Sequence, residues 1–403
     1  MSVMTDNGNA GLRRGRSAAA RAISLSALLL AAQLPVPALA GPNEQAKRIY
    51  ERIAGVPPSA ADLQTMVNDI NGQSGQAGLL AAATYATNAR TFYDVTLKNF
   101  SMPWTNRDQT VFAPLNDYVA TVIGMVRDNV PFNTALSADI LYVSNASGLP
   151  AASIANDNHY ATAEANGVEL MSTLVKTTQS GTYGIPTAAT AGLITTRGAA
   201  SAFFINGTNR AMFRFTMINQ FCNDMPALMD TTRPSDRIRQ DVARSPGGDS
   251  QIFLTNCVGC HSGMDPMVQA FAYYNFNATT GAMVYTPGEV QPKYLINATN
   301  FPYGYITPDD SWSNRWRTGP NAALGWGSGT GSGSGAKTLG QELASSQTFA
   351  QCQVQKVFQA VCFRVPQNAT DLATVASLTS NFTSDGYNLK TVFQQAAAAC
   401  PGS

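Results

Sequence analysis

The sequence predicts a mainly α fold in two parts. Apolar residues recur at helical spacing through most of the first 230 residues. Near mid-chain, the stretch 231–249 is polar and broken by Pro and Gly, as a linker is. Helical periodicity returns after residue 339. Once an N-terminal leader is set aside, about 360 residues remain, more than one hydrophobic core usually holds. The expected division is therefore a helical domain over 41–230, a linker over 231–249, and a second helical module with loop and hairpin insertions over 250–403.

The leader is read from residues 1–40. Arg13, Arg14, Arg16 and Arg21 form a positive region, Ala22 to Leu34 is apolar, and Ala38-Leu39-Ala40 is an A-x-A cleavage site, so the mature chain is expected to begin near Gly41. The apolar run is too short for a comfortable membrane span, and no later stretch approaches the ~20 apolar residues a span needs. Gly41, not a cysteine, comes directly after Ala40, so no lipid anchor is expected. The expected location is the periplasm of a Gram-negative bacterium, or the medium outside it, with no integral membrane segment after signal cleavage.

Taken in order, Asn43 caps a helix to about Ala54, broken by Gly55-Val56-Pro57-Pro58. Ser59-Ala60-Ala61-Asp62 opens the next, with Leu63, Met66, Val67 and Ile70 at helical spacing and Gly72 as its stop. Residues 75–100 read as one or two Ala-rich helices. Thr110 to Asn129 reads as a helix with Val111, Leu115, Val119, Val122, Ile123 and Val126 on its inner face, closed by Pro131. Ala135 to Val143 is a short apolar stretch, 144–166 reads as loop and contains His159, and Glu164 to about Thr177 reads as helix. Ala199 to Leu228, rich in Phe and Met, reads mostly as a buried helix. In the second module Ser250 to Cys257 reads as helix, 267–276 as helix or a tight apolar turn, and 277–320 as hairpins and loops. The Gly/Ser-rich run 325–336 reads as a flexible linker. Three helices, about 339–362, 368–380 and 386–399, close the chain.

The chemistry concentrates in Cys257-Val258-Gly259-Cys260-His261. This C-x-x-C-H spacing is the attachment signature of c-type haem. Two thiols two residues apart can add to the two vinyl groups of one porphyrin, and the histidine that follows lies beside the iron as an axial ligand. Cys257 and Cys260 are thus the expected attachment residues of a single covalent haem c, and His261 its expected iron ligand, with the other ring nitrogen held by a backbone carbonyl. A zinc site would need a second Cys/His cluster at short spacing, and a thioredoxin-like pair would need a preceding strand in a βαβ pattern; neither pattern is present. Opposite His261 the iron could take Met283, His159 from the first domain, or no protein ligand. Methionine would raise the potential and suit electron transfer.

Four further cysteines, Cys222, Cys352, Cys362 and Cys400, read as up to two disulfides in an oxidising compartment. Cys352 and Cys362 fall on one expected helix. Ten helical residues separate Cα atoms by about 15 Å, and a disulfide tolerates only about 7 Å. They are therefore expected to pair outward, with Cys222 and Cys400 in either order. Cleavage after Ala40 leaves 22 basic and 24 acidic residues and no polybasic run. Nucleic acid and anionic membrane are thereby excluded as expected partners, and a periplasmic redox protein is the partner that the motif calls for. No paired-carboxylate, nucleophile or phosphate-loop motif stands out.

The run from Cys257 through His261-Ser262-Gly263-Met264 to Asp265-Pro266, followed by an apolar stretch and Tyr274-Asn275-Phe276, resembles the cytochrome c-like module of large exported bacterial monohaem proteins, described as planctomycete-type cytochrome c proteins. Gln347 to Cys352, Phe363-Arg364 and Gly386 to Leu389 match downstream; Arg127 to Phe132 and Ala138 to Asn145 match upstream. The resemblance spans roughly 110–400, with specific motifs only near 257–276. It implies a monohaem module behind a helical domain and no established substrate. Phe363 stands where those proteins tend to carry Gly before the Arg. By analogy with small c-type cytochromes, the helix at 386–399 is expected to cross the one at 250–257 and bring Phe393 near Ile252 or Phe253. From the attachment motif, the expected function is electron carriage by an exported monohaem c-type cytochrome. The alternatives are a haem-dependent oxidoreductase with an open distal site, and an envelope binding protein that uses haem structurally.

Overall fold

Helices make up most of the chain. The computed structural model describes residues 40–295 and 302–400, so the expected leader lies outside the described residues. Helix α1, Pro42–Ala54, stops at Gly55, whose φ of 73° lets its N–H close back on Glu51. Helix α2, Ala60–Gly72, starts in the expected capping box between Ser59 and Asp62. Helix α3, Gln76–Ala86, leads to a wide π-turn over Phe92–Leu97. The next helix is shorter than its apolar pattern predicts. Helix α4 spans only Asp117–Arg127, capped by the Asn116 side chain on the N–H of Val119. Pro114 disfavours helical backbone at Ala113, and the Asn106 side chain takes both the N–H and the carbonyl of Thr110.

Two further expected helices divide. Between 164 and 177 the structure has the end of α5, Asn158–Ala165, a single helical turn over Leu170–Thr173, and then strand β2, Leu174–Thr177, antiparallel to β1, Leu141–Ser144. The β-branched residues Val175 and Thr177 gain a partner strand that no local pattern announces. His159 therefore stands on a helix, not in a loop. The apolar run after 199 splits into α6, Arg197–Phe203, and α7, Arg210–Phe221, because Asn206, Gly207 and Asn209 all take positive φ between them.

In the second half, a π-turn over Phe253–Cys257 runs into α8, Val258–Val268. A hairpin follows, β3 Tyr274–Asn277 on β4 Ala282–Tyr285, with Phe276 opposite Met283. The Gly/Ser run is not a free linker. Its end forms β6, Ser332–Ser334, paired with β5, Ser311–Ser313. Gly329 lies so close to the Arg317–Glu342 ion pair that a Cβ there would sit 2.3 Å from Glu342 Oε2. Close approach, not flexibility, is what those glycines provide. Helices α9, Gly335–Ala344, and α10, Gln347–Cys362, are separated by a turn that Ser346 caps; α11, Ala369–Ser384, and α12, Leu389–Ala399, complete the chain.

One hydrophobic core runs from Ala46 in α1 to Cys400 after α12, and the chain from Ala40 onward packs as one unit. In the stretch 231–249 Arg239 is buried, and Ile238 forms a separate small apolar cluster with Phe253 and Val258. Helix α12 packs on α3 and α10. Phe393 meets Phe92 and Phe100, each at 5.2 Å between ring centroids, so the expected crossing with 250–257 is not made. The apolar faces of the N-terminal helices take that position instead. The four outlying cysteines pair outward as Cys222–Cys352 and Cys362–Cys400, with Cys352 and Cys362 on one helix. Among the described residues no helix is long and apolar enough to cross a membrane.

Phe363 caps α10 with φ 53° and is 71% exposed. A left-handed backbone costs a side-chain-bearing residue about 1 kcal/mol or more. Phe363→Gly is expected to stabilise the fold by about 1 kcal/mol in denaturant unfolding, less whatever the Arg52 contact with that ring contributes. A second expectation concerns Lys293, whose Nζ donates to the Phe204 carbonyl at 2.7 Å and to Asn275 at 2.8 Å, with burial pushing its pKa down to about 7. Between about pH 10 and pH 7 the unfolded chain takes up a proton there that the folded chain keeps out, so stability falls as pH falls. Lys293→Met is expected to flatten that part of the profile of thermal midpoint against pH.

Candidate functional site

Cys257, Cys260 and His261 stand at i, i+3 and i+4, so successive turns bring them to one face of a helix. All three are half-buried. Leu254 and Ile252, one turn earlier, are exposed, and so is Met229, which lies beside Gly259. The helical turn that leads into the motif thus exposes apolar side chains to solvent.

The opposite face of α8 is fastened down, and small residues make that possible. Gly259 accepts from the N–H of Asp230 at 2.9 Å, and Ser262 donates from its hydroxyl to the Asp230 carbonyl at 2.9 Å. Gly263 lies flat on the indole of Trp316: a Cβ there would fall 1.9 Å from Nε1. Trp316 is fully buried, and its indole N–H has no acceptor among the described residues.

The two thiols are free, whereas the other four cysteines are disulfide-bonded. Burial, and then the neighbouring Cys257, pushes the Cys260 thiol above its ordinary pKa. Redox-active pairs need the reverse, a thiol lowered toward thiolate. The segment before the motif is helical, not a strand. No group of three His, Cys, Asp or Glu side chains among the described residues is arranged to hold a metal ion, so a closed zinc site is not assembled.

His261 is not held by a backbone carbonyl, as expected, but by a carboxylate. Its Nδ1 lies 3.1 and 3.2 Å from the two oxygens of Asp265, one turn along α8. That leaves Nε2 as the nitrogen for a ligand. Asp265 is buried, and Arg210 grips it from the other side, Nε to Oδ1 at 2.8 Å and Nη2 to Oδ2 at 2.9 Å. Buried Arg239 comes within 3.8 Å of Oδ1, and Arg210 reaches on to Asp241 at 3.0 Å. Burial alone would raise the Asp265 pKa, yet Arg210, Arg239 and the His261 hydrogen bond together hold it well below the usual carboxylate range.

The residues proposed for the far side of the iron lie elsewhere. His159 uses both ring nitrogens: Nε2 accepts from the N–H of Ser144 at 2.9 Å, and Nδ1 donates to the Pro150 carbonyl at 2.8 Å. It staples β1 to the following loop and has no nitrogen left for a metal. Met283 is buried in the β3–β4 hairpin, which packs on α6, whereas α8 packs on α7 and β5. Asp265 could have been found in the sequence, since it follows His261 at i+4. Arg210, Arg239 and Trp316 carry no local signal.

No family profile, no curated protein and no solved structure matches the chain.

Because the back of α8 is seated on Trp316, Gly263→Ala is expected to destabilise the protein by about 1–3 kcal/mol or more in chemical unfolding. Gly248→Ala, where a Cβ meets nothing within 4 Å but φ is +88°, provides a comparison set by backbone strain alone.

Proposed function

We propose that the chain is an exported monohaem c-type cytochrome that carries electrons, with haem c attached through Cys257 and Cys260 and His261 as its axial iron ligand. The observation behind this reading is that two unpaired thiols and one imidazole share a helix face while every other cysteine is disulfide-bonded. The donor set fits the group: the thiols are three residues apart, Nε2 of His261 has no hydrogen-bond partner among the described residues, and Leu254, three residues before Cys257, offers an exposed apolar side chain. Bound there, the haem would supply a one-electron iron couple. The chain's own part is to anchor, orient and shield. Cys257 and Cys260 anchor. Asp265 keeps the His261 proton on Nδ1 and so presents Nε2. Gly259, Ser262 and Gly263 fix the helix from behind. Two disulfides accord with export to an oxidising compartment.

The second reading, a haem oxidoreductase with an open distal site, draws on one observation: His159 is committed to Ser144 and Pro150. Both readings share the attachment chemistry and part at the sixth position.

Produced in a host that attaches haem after export, the purified chain is expected to keep its pigment through denaturation and to give a pyridine haemochrome of one haem per chain. Cys257→Ser combined with Cys260→Ser is expected to lose it. Carbon monoxide binding by the reduced protein would favour the open site, and a low-spin spectrum that ignores carbon monoxide the electron carrier. Pigment that washes out of the denatured native chain would sink both.

A further inference from the structure

We propose that Asp265 is a positioning residue that sets the donor strength of His261, holding the Nδ1 proton by a carboxylate and thereby lowering the reduction potential of the haem, with Arg210 moderating the effect. The inference rests on the haem reading above. It is carried by the way three side chains share one carboxylate. Both oxygens of Asp265 lie within reach of His261 Nδ1, at 3.1 and 3.2 Å. From the far side the same two oxygens accept the bidentate fork of Arg210, at 2.8 and 2.9 Å. Such a fork fixes the plane of the carboxylate as well as its place. The contact is out of water, since Asp265 and Arg239 are each 1% exposed, and low dielectric strengthens it.

An ionised carboxylate is a stronger acceptor than a peptide carbonyl. Holding the Nδ1 proton, it moves electron density toward Nε2, and a ligand of greater basicity favours the oxidised metal. The arginines act in the opposite direction. Density that Asp265 gives to the Arg210 fork is not given to His261, so the proton stays on the imidazole. Arg210 also holds Asp241, so the cluster gathers two cations, Arg210 and Arg239, and two anions, Asp241 and Asp265. Pairing each anion with a cation lets the network stay buried. The donor strength of the ligand on α8 is thus tied to α7 through Arg210 and to the 231–249 stretch through Arg239.

The chain carries two histidines, so 15N-histidine labelling leaves two imidazoles to resolve, with His159 as an internal control. The measurement is made on the reduced diamagnetic holoprotein, with carbon monoxide added if the iron is high-spin. In Asp265→Asn the Nδ1–H resonance of His261 is expected to move upfield while that of His159 stays. The reduction equilibrium should shift toward the reduced form by about tenfold, which is 59 mV for one electron. Arg210→Lys keeps the charge but loses the fork, freeing the carboxylate for His261, and is expected to shift both readouts the other way. This second variant carries the test if Asp265→Asn does not fold. A potential that moves without the Nδ1–H resonance, or neither moving, in a variant that has retained its haem overturns the inference. A native chain that never retains haem overturns the haem reading instead.

Discussion

A carboxylate sealed away from water behind His261 cannot stay charged without cations, and Asp265 has two. Arg210 binds both its oxygens and Arg239 stands at 3.8 Å, each brought from a different part of the chain. Removing one member of such a buried pair typically costs 3–5 kcal/mol, because the other is left charged and dry. The cluster therefore clamps α7, α8 and the 231–249 stretch together. It also decides how the imidazole lies, since both Asp265 oxygens come within 3.2 Å of His261 Nδ1. The orientation of one side chain and the docking of three segments are the same interaction seen from two ends.

The front of α8 can be given to cysteines and a histidine because its back consists of almost nothing. Gly259, Ser262 and Gly263 leave room for the Asp230 backbone and the flat of Trp316 to approach the helix directly. A larger residue at 263 would lift the helix off its seat and turn the thiols away. The Gly/Ser run 325–336 follows the same logic at another place, where missing side chains let the chain lie against Arg317 and Glu342. A composition that signals flexibility in an isolated segment here signals close contact, and only the neighbouring surface tells the two apart.

Local rules were reliable where the decisive contacts are local. Capping at Ser59, the stop at Gly55 and the exclusion of a Cys352–Cys362 bond all follow from distances along one helix. The same rules failed where a distant segment intervened. Val175 and Thr177 have a strand partner more than thirty residues away, as the pairing of Thr177 with Leu141 shows, and helical spacing across 164–177 could not reveal it. The apolar pattern from 110 to 129 runs through Pro114, whose steric demand outweighed the periodicity. Helix α12 found its partners among the N-terminal helices because those faces were apolar and unfilled, and analogy with smaller proteins had no access to them.

By itself the sequence determined the mainly helical class, the C-x-x-C-H spacing of two thiols and an imidazole, and the outward pairing of four cysteines. Each depends on separations of a few residues, which covalent geometry sets before any folding occurs. Tertiary structure alone decided that the carboxylate one turn beyond His261 is buried and held by arginines 55 and 26 residues distant, and that His159 is taken up elsewhere. Those depend on which segments share a buried volume, and a buried charge accepts only the partners that the whole fold brings to it.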